Sequence, residues 1–172
     1  MNTEKKKLLF DAAFSCFISY GFSKTSLDDI AKKAGVSRSS IYLLFKNKKD
    51  LFISMVENNF EDKLKKIAEI VKAKGSEKDK LKQFFEIWIL EVWSKVYNSP
   101  HGAELFEIGK EITKEISAKV QRRLSKLLTD VIKKPELAEI ATLAVIGFKS
   151  DQPSPAVLKA RIDLLIELIA NR

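Results

Sequence analysis

The stretch that most constrains this 172-residue chain runs from Gly21 to Phe52, GFSKTSLDDIAKKAGVSRSSIYLLFKNKKDLF. Leu27, Ile30, Ala31 and Ala34 in it follow the i, i+3, i+4, i+7 spacing of one buried helix face. Ser26 precedes that run and Asp29 comes three residues later, the pattern in which hydroxyl and carboxylate cap a helix start together. Small Ala31 and Ala34 let a neighbouring helix come close. Gly35 permits the backbone angle of a tight turn, which a side chain would resist. Ser37 then caps a third helix predicted to reach Leu44. Val36 and Ile41 are expected to point back onto Ile30 and the first helix, leaving Arg38, Ser39, Ser40, Tyr42 and Leu43 outward. Two short helices about such a turn make a helix-turn-helix, whose second helix fits the major groove of DNA.

The rest of the chain reads as helix, so an all-α fold is expected. It divides into an N-terminal three-helix domain over residues 1–47 and a helical bundle over 48–172. The first helix spans roughly residues 4–20, with Leu9, Ala13, Cys16, Phe17 and Tyr20 on one stripe, and Gly21 ends it. Asn47 and Asp50 cap a fourth helix, whose apolar face is Phe52, Val56, Phe60, Leu64, Ile67 and Val71. Ser76 and Asp79 open a fifth, and Ser99-Pro100 marks a break. One long helix should come next, with Ile108, Ile112, Ile116, Val120, Leu124, Leu127 and Val131 on one face, ending near Lys134 because of Pro135. Two last helices are predicted over about 136–148 and 154–170, joined by KSDQPSP.

Charge separates the two parts. Residues 1–50 hold ten Lys or Arg against five Asp or Glu, whereas the remainder holds 21 against 18. A basic end on a nearly balanced body suits attraction to phosphate, although lysine richness alone would also give it. The single cysteine, Cys16, allows no intrachain disulfide and reads as a core residue. Neither a signal peptide nor a membrane span is visible, which points to the cytoplasm. The one histidine, His101, has no ligand-spaced companions, so no metal or other cofactor is expected. No nucleophile-base set suggests catalysis.

The segment resembles the DNA-binding domain of the TetR family of transcriptional regulators. The residues that carry the likeness are Thr25-Ser26, Ile30-Ala31, Ala34-Gly35-Val36-Ser37, Tyr42, Phe45, and Lys48 with Leu51. The resemblance implies that Thr25 and Ser26 touch phosphate at the start of the second helix. It puts Ser37, Arg38, Ser39 and Ser40 at the base-reading end of the third. Tyr42 would give its hydroxyl to a phosphate, and Lys48, aided by Lys46, would hold another. Arg38 suits the two major-groove acceptors of guanine, or a phosphate. Leu43 and Leu44 depart from the family, which often has aromatic or polar residues there; Leu43 could touch a thymine methyl, and Leu44 could be core. Phe45 and Leu51 read as core.

The resemblance also implies a small-molecule effector site and a homodimer. Candidate pocket residues are Phe84, Phe85, Trp88, Trp93, Tyr97, His101 and Phe106, each equally readable as packing. An inward Glu86, Glu91, Glu104 or Glu107 would favour a cationic ligand, whereas solvent-facing carboxylates are the plainer alternative. The last two helices, rich in Leu, Ile and Val with small Ala141, Ala144 and Gly147, could pair with a partner's copy or pack on their own chain. A dimer places two reading helices about 34–36 Å apart, on two half-sites of double-stranded DNA. The expected mechanism is an effector that shifts the pivot of the fourth helix and so spoils that spacing, with a coupling of about 1–3 kcal/mol. The competing readings are a constitutive helix-turn-helix protein and a helical interaction module.

Overall fold

The structure, a computed structural model, describes residues 3–172. Its elements are α1 (Thr3–Tyr20), α2 (Leu27–Ala34), α3 (Arg38–Leu44), α4 (Lys48–Lys72), α5 (Glu77–Phe85), a π-helical turn (Glu86–Leu90), α6 (Glu91–Tyr97), α7 (Gly102–Ile112), α8 (Lys114–Ile132), α9 (Pro135–Phe148) and α10 (Pro155–Ala170). No strand occurs among the described residues, so the all-α expectation holds. Helices begin where local cap chemistry puts them. Asp29 N donates to Ser26 Oγ at 3.1 Å while Ser26 N donates to Asp29 Oδ2 at 2.9 Å. Asp50 N donates to Asn47 Oδ1 at 2.9 Å, and Asp79 N to Ser76 Oγ at 3.1 Å. Pro135 opens α9, where its missing N–H costs nothing.

Packing divides the chain into two units. One comprises the chain up to Asn59 together with Asn98–Lys114; the other comprises Phe60–Tyr97 and Glu115–Arg172. The expected division at residue 47 does not coincide with this. The start of α4 belongs with the helix-turn-helix because Leu51, Phe52 and Met55 are buried, and Phe52 sits edge-on to Phe17 and Phe22 at 5.6 and 5.4 Å. In this unit Leu9, Ala13, Phe17, Ile30, Ile41 and Leu51 form a closed core. Tyr20 is not part of it: the last turn of α1 leaves its ring exposed.

The expected long helix is broken. Thr113 directs both its N–H (3.0 Å) and its hydroxyl (2.6 Å) to the Gly109 carbonyl, and α7 ends there. Beyond the break the buried face restarts as Val120, Leu124, Leu128 and Val131, so Leu128 takes the core position expected of Leu127.

The second unit contains a feature without any sequence signal. Glu91 N reaches back to the Glu86 carbonyl, closing a π-helical turn between α5 and α6. The extra residue in that turn rotates α6 relative to α5, so Phe84, Phe85, Trp88, Ile89 and Trp93 are all buried. Phe85 stacks on Trp88 at 5.9 Å, and Phe84 meets Trp88 edge-on at 6.1 Å. Trp93 Nε1 donates to the Pro153 carbonyl at 2.9 Å, which fixes the α9–α10 linker from α6. Arg161 holds the same linker, donating to Phe148 O and to both oxygens of Asp151 at 2.7 Å.

Lys63, on the inner face of α4, is only 7% exposed, and its ammonium donates to the Trp88 carbonyl at 3.2 Å. Burial pulls its pKa down from 10.5 to about 8, with Glu91 opposing the shift. Between these values the unfolded chain holds the proton and the folded chain does not, so stability should rise as pH goes from about 8 to 10.5. Thermal unfolding across that range should show the rise in the native chain. Lys63→Met should flatten it and raise stability at neutral pH by up to about 3 kcal/mol. A native profile that is flat there would contradict the burial cost assigned to Lys63.

Candidate nucleic-acid interface

The turn between α2 and α3 rests on Gly35, whose φ of 67° lies in the left-handed region. Val36 N donates to Ala31 O at 3.0 Å and Gly35 N to Lys32 O at 3.3 Å, which closes α2. Ile41 is fully buried and Val36 half-buried, so α3 has the expected inner face. Arg38, Ser39, Ser40, Tyr42 and Leu43 are exposed, Leu43 to 86%. Leu44 is 41% exposed and is not the core residue its spacing from Ile41 allowed, because α3 ends there and turns it outward. Phe45 and Leu51 are buried as expected.

Arg38 is held on the surface. Its Nη1 lies 3.1 Å from Asp28 Oδ2 and its guanidinium sits over the Tyr42 ring at 5.4 Å. Ser37 Oγ lies 3.0 Å from Ser39 Oγ and 2.7 Å from Ser40 Oγ, and accepts from Ser40 N at 3.2 Å. Three solvent-facing hydroxyls therefore gather at the start of α3. Ser26 is exposed with its hydroxyl and N–H on Asp29, and those two bonds hold the Asp29 carboxyl below its ordinary pKa. The Lys46 side chain is exposed.

Two residues expected to touch phosphate have hydrogen-bond partners within the chain. Thr25 is 2% exposed, and its hydroxyl donates to the Gly21 carbonyl at 2.7 Å, so it faces the inside of the turn. Lys48 donates to the carbonyls of Phe22, Ser23 (3.2 Å) and Thr25 (2.7 Å), with its ammonium over the Phe22 ring at 4.6 Å. An ammonium has three protons, and all three have acceptors here. Burial lowers the Lys48 pKa, and Glu104 offsets part of that.

Sequence reasoning missed four residues of this site. Phe22 completes a ring cluster with Phe17 (5.3 Å) and Phe52; its place beside Gly21 was the available hint. Asp28 partners Arg38 across the turn. Ser23 and Glu104 meet over a long sequence separation: Ser23 N and Oγ donate to Glu104 Oε1 at 2.8 and 2.6 Å. These bonds keep the Glu104 carboxyl below its usual pKa.

The candidate pocket residues are divided between the two units. Phe84, Phe85 and Trp88 form the packed cluster of the second unit, Trp93 points to the linker, and Tyr97 is 40% exposed. His101 and Phe106 belong to the first unit, with His101 Nδ1 3.8 Å from Glu104 Oε2. Glu91 acts electrostatically on Lys63, and Glu104 serves Ser23. An open groove of about 740 Å³ in the first unit is lined by Tyr20, Lys24, Asp29, Lys32, Lys33 and His101, among others. A smaller one of about 310 Å³ lies between Glu86 and Leu90 on one side and Ile162 and Ile166 on the other. None of the six aromatic candidates lines either. Among the described residues no group of three or more His, Cys, Asp or Glu could hold a metal, and no helix is long and apolar enough to cross a membrane.

Comparison with known proteins agrees with this geometry. The family model "Bacterial regulatory proteins, tetR family" matches residues 9–55. The Fatty acid metabolism regulator protein of Bacillus subtilis (strain 168) is 36% identical over 73 residues, covering 42% of this chain and 38% of that relative. The matched part thus spans well under half of the relative's length. The fatty acid degradation regulator FadR from Bacillus halodurans shares the fold at a TM-score of 0.65 and 22% identity, over 96% of both chains. SmeT, the repressor of the Stenotrophomonas maltophilia multidrug efflux pump SmeDEF, does so at a TM-score of 0.64 and 16% identity, over 96% of this chain and 88% of that one. Residues 9–55 thus match the DNA-binding part of the tetR family of bacterial regulatory proteins in sequence, and the chain as a whole shares the fold of these solved regulators.

Proposed function

We propose that this chain is a cytoplasmic transcriptional repressor that binds a palindromic operator as a homodimer and is released by a small apolar or aromatic effector. One observation carries the DNA-binding part: Arg38, Ser39, Ser40, Tyr42 and Leu43 stand exposed on a helix whose opposite face, at Ile41, is fully buried. Arg38 is assigned to a guanine edge and Leu43 to a thymine methyl. Ser26, Ser37, Ser39, Ser40, Tyr42 and Lys46 are assigned mainly to phosphates, which set register without reading sequence. Repression is favoured by the likeness to SmeT.

The homodimer is supported by the last two helices. Each buries one side in its own unit, through Ala141 and Val145 in α9 and Leu158, Ile162 and Ile166 in α10. Each also exposes a second apolar side: Ile140, Leu143 and Ile146 in α9, Val157, Leu164 and Leu168 in α10. Ala141 is spent inside the chain, so Ala144 and Gly147 are the small residues left for close approach by a partner. Such a paired outer face is what an isologous four-helix contact requires.

A second reading has one observation in its favour. Phe84 and Phe85 are completely buried against Trp88, which suits a constitutive DNA binder with no effector site among these rings. In the effector reading, a ligand enters by displacing part of that cluster and must bind the displaced state more tightly.

Selection of bound fragments from random duplex DNA should yield an inverted repeat with half-sites about one helical turn, or a multiple of it, apart. Recovery of asymmetric or unrelated sequences would refute the dimeric reading. On the selected duplex Arg38→Ala should cost about 1–3 kcal/mol, with a much smaller loss on a scrambled duplex. Equal losses on both would remove Arg38 from base recognition. Glutamate at both Leu164 and Leu168 should convert the dimer to a monomer in analytical ultracentrifugation. A dimer that survives both charges would rule out this face as the interface.

A further inference from the structure

We infer that Glu104, on α7 and far in sequence from the helix-turn-helix, is a positioning residue for DNA binding: its carboxylate fixes the α1–α2 turn from which the reading surface is built. The inference rests on the DNA-binding reading given above. Two contacts and one charge interaction meet at this carboxylate. Oε1 accepts both the N–H and the hydroxyl of Ser23, at 2.8 and 2.6 Å. Oε2 lies flat against Gly21, whose φ is +85°; a Cβ at Gly21 would come within 2.3 Å of Oε2 and 3.0 Å of His101 Nδ1. The Lys48 ammonium, which Glu104 stabilises electrostatically, holds the carbonyls of Phe22, Ser23 and Thr25 in the same turn. The donors of the turn are thus taken by α7 and its carbonyls by α4.

The turn leads directly into Ser26, the N-cap of α2. The first turn of α2 carries Asp28, and Asp28 holds Arg38. Glu104 therefore acts on the reading surface through Ser23, α2 and Asp28 without touching DNA. The packing of Asn98–Lys114 into this unit fits that role. Charge alone argues the opposite way. A carboxylate on a DNA-binding unit repels phosphate, so its removal should tighten binding.

The test uses the full chain, the selected duplex and a scrambled duplex. Glu104→Ala and Ser23→Ala should each weaken binding to the selected duplex, Glu104→Ala by roughly tenfold, with the salt slope unchanged because no phosphate contact is lost. Glu104→Gln keeps an acceptor for Ser23 and should stay within about threefold of the native chain. The double variant should be no worse than Glu104→Ala, since both changes break one contact. Hydrogen exchange on the DNA-free chain supplies the independent readout: Glu104→Ala should speed exchange of the Ser23 amide. If both Glu104 variants tighten binding equally, or if Ser23→Ala changes neither affinity nor exchange, the inference is overturned. Should Glu104→Ala fail to fold, Ser23→Ala and Glu104→Gln decide it. A native chain that binds neither duplex refutes the DNA-binding reading itself, and Ser23 exchange then still reports whether the latch exists.

Discussion

One ammonium organises the N-terminal unit. The turn between α1 and α2 leaves the carbonyls of Phe22, Ser23 and Thr25 without helical partners, and Lys48 collects all three. The bonds to Phe22 and Thr25 are part-buried, where an acceptor without a partner is costly, so that side chain stabilises the turn. Phe22 lies under the same ammonium and packs edge-on to Phe52, one turn along α4 from Lys48. The cation therefore joins a polar turn to the aromatic core. Desolvation lowers its pKa, and the nearby Glu104 carboxylate counters that. A lysine at this position reads naturally as a hand for phosphate; in this structure it fastens the scaffold.

That fastening matters because α3 cannot stand alone. Seven residues are too few for an isolated helix to persist in water. Its form comes from the buried Ile41, from Gly35 and from the Ser37 cap. The Arg38–Asp28 pair is largely exposed, so it contributes little to stability. Its value is orientation: it keeps the guanidinium over the Tyr42 ring instead of sweeping through solvent. A screened pair is also cheap to give up, so a guanine edge that displaces Asp28 meets little resistance.

Local chemistry was legible in the sequence, and distant chemistry was not. The caps at Ser26, Ser37, Asn47 and Ser76 depend on residues within a few positions, and each is present. The inward set Leu27, Ile30, Ala31 and Ile41 is set by periodicity alone. By contrast, Lys48 meets its carbonyls, Glu104 meets Ser23 and Lys63 meets Trp88 only through folding, and charged residues in a pattern read as solvent-facing by default. Thr113 escaped for another reason. Threonine is tolerated in helices, and Thr129 and Thr142 make the same hydroxyl bond four residues back inside unbroken helices, so its residue type does not announce the end of α7. The π-helical turn has no composition of its own; it shows itself through five large side chains buried in a span that one α-helical face cannot hide.

The division into units bears on how a signal could reach DNA. A single pivot on α4 assumes that the reading unit hangs from one helix. The chain leaves or enters that unit three times: within α4 after Asn59, between Tyr97 and Asn98, and between Lys114 and Glu115. Any displacement of α4 that ignored α7 would have to break the Ser23–Glu104 bonds or strain the segment around Thr113. Small shifts are therefore either shared by α4 and α7 or resisted by both. Whatever moves α4 and α7 together moves the α1–α2 turn that both hold, and Asp28 and Arg38 inherit the position that turn takes.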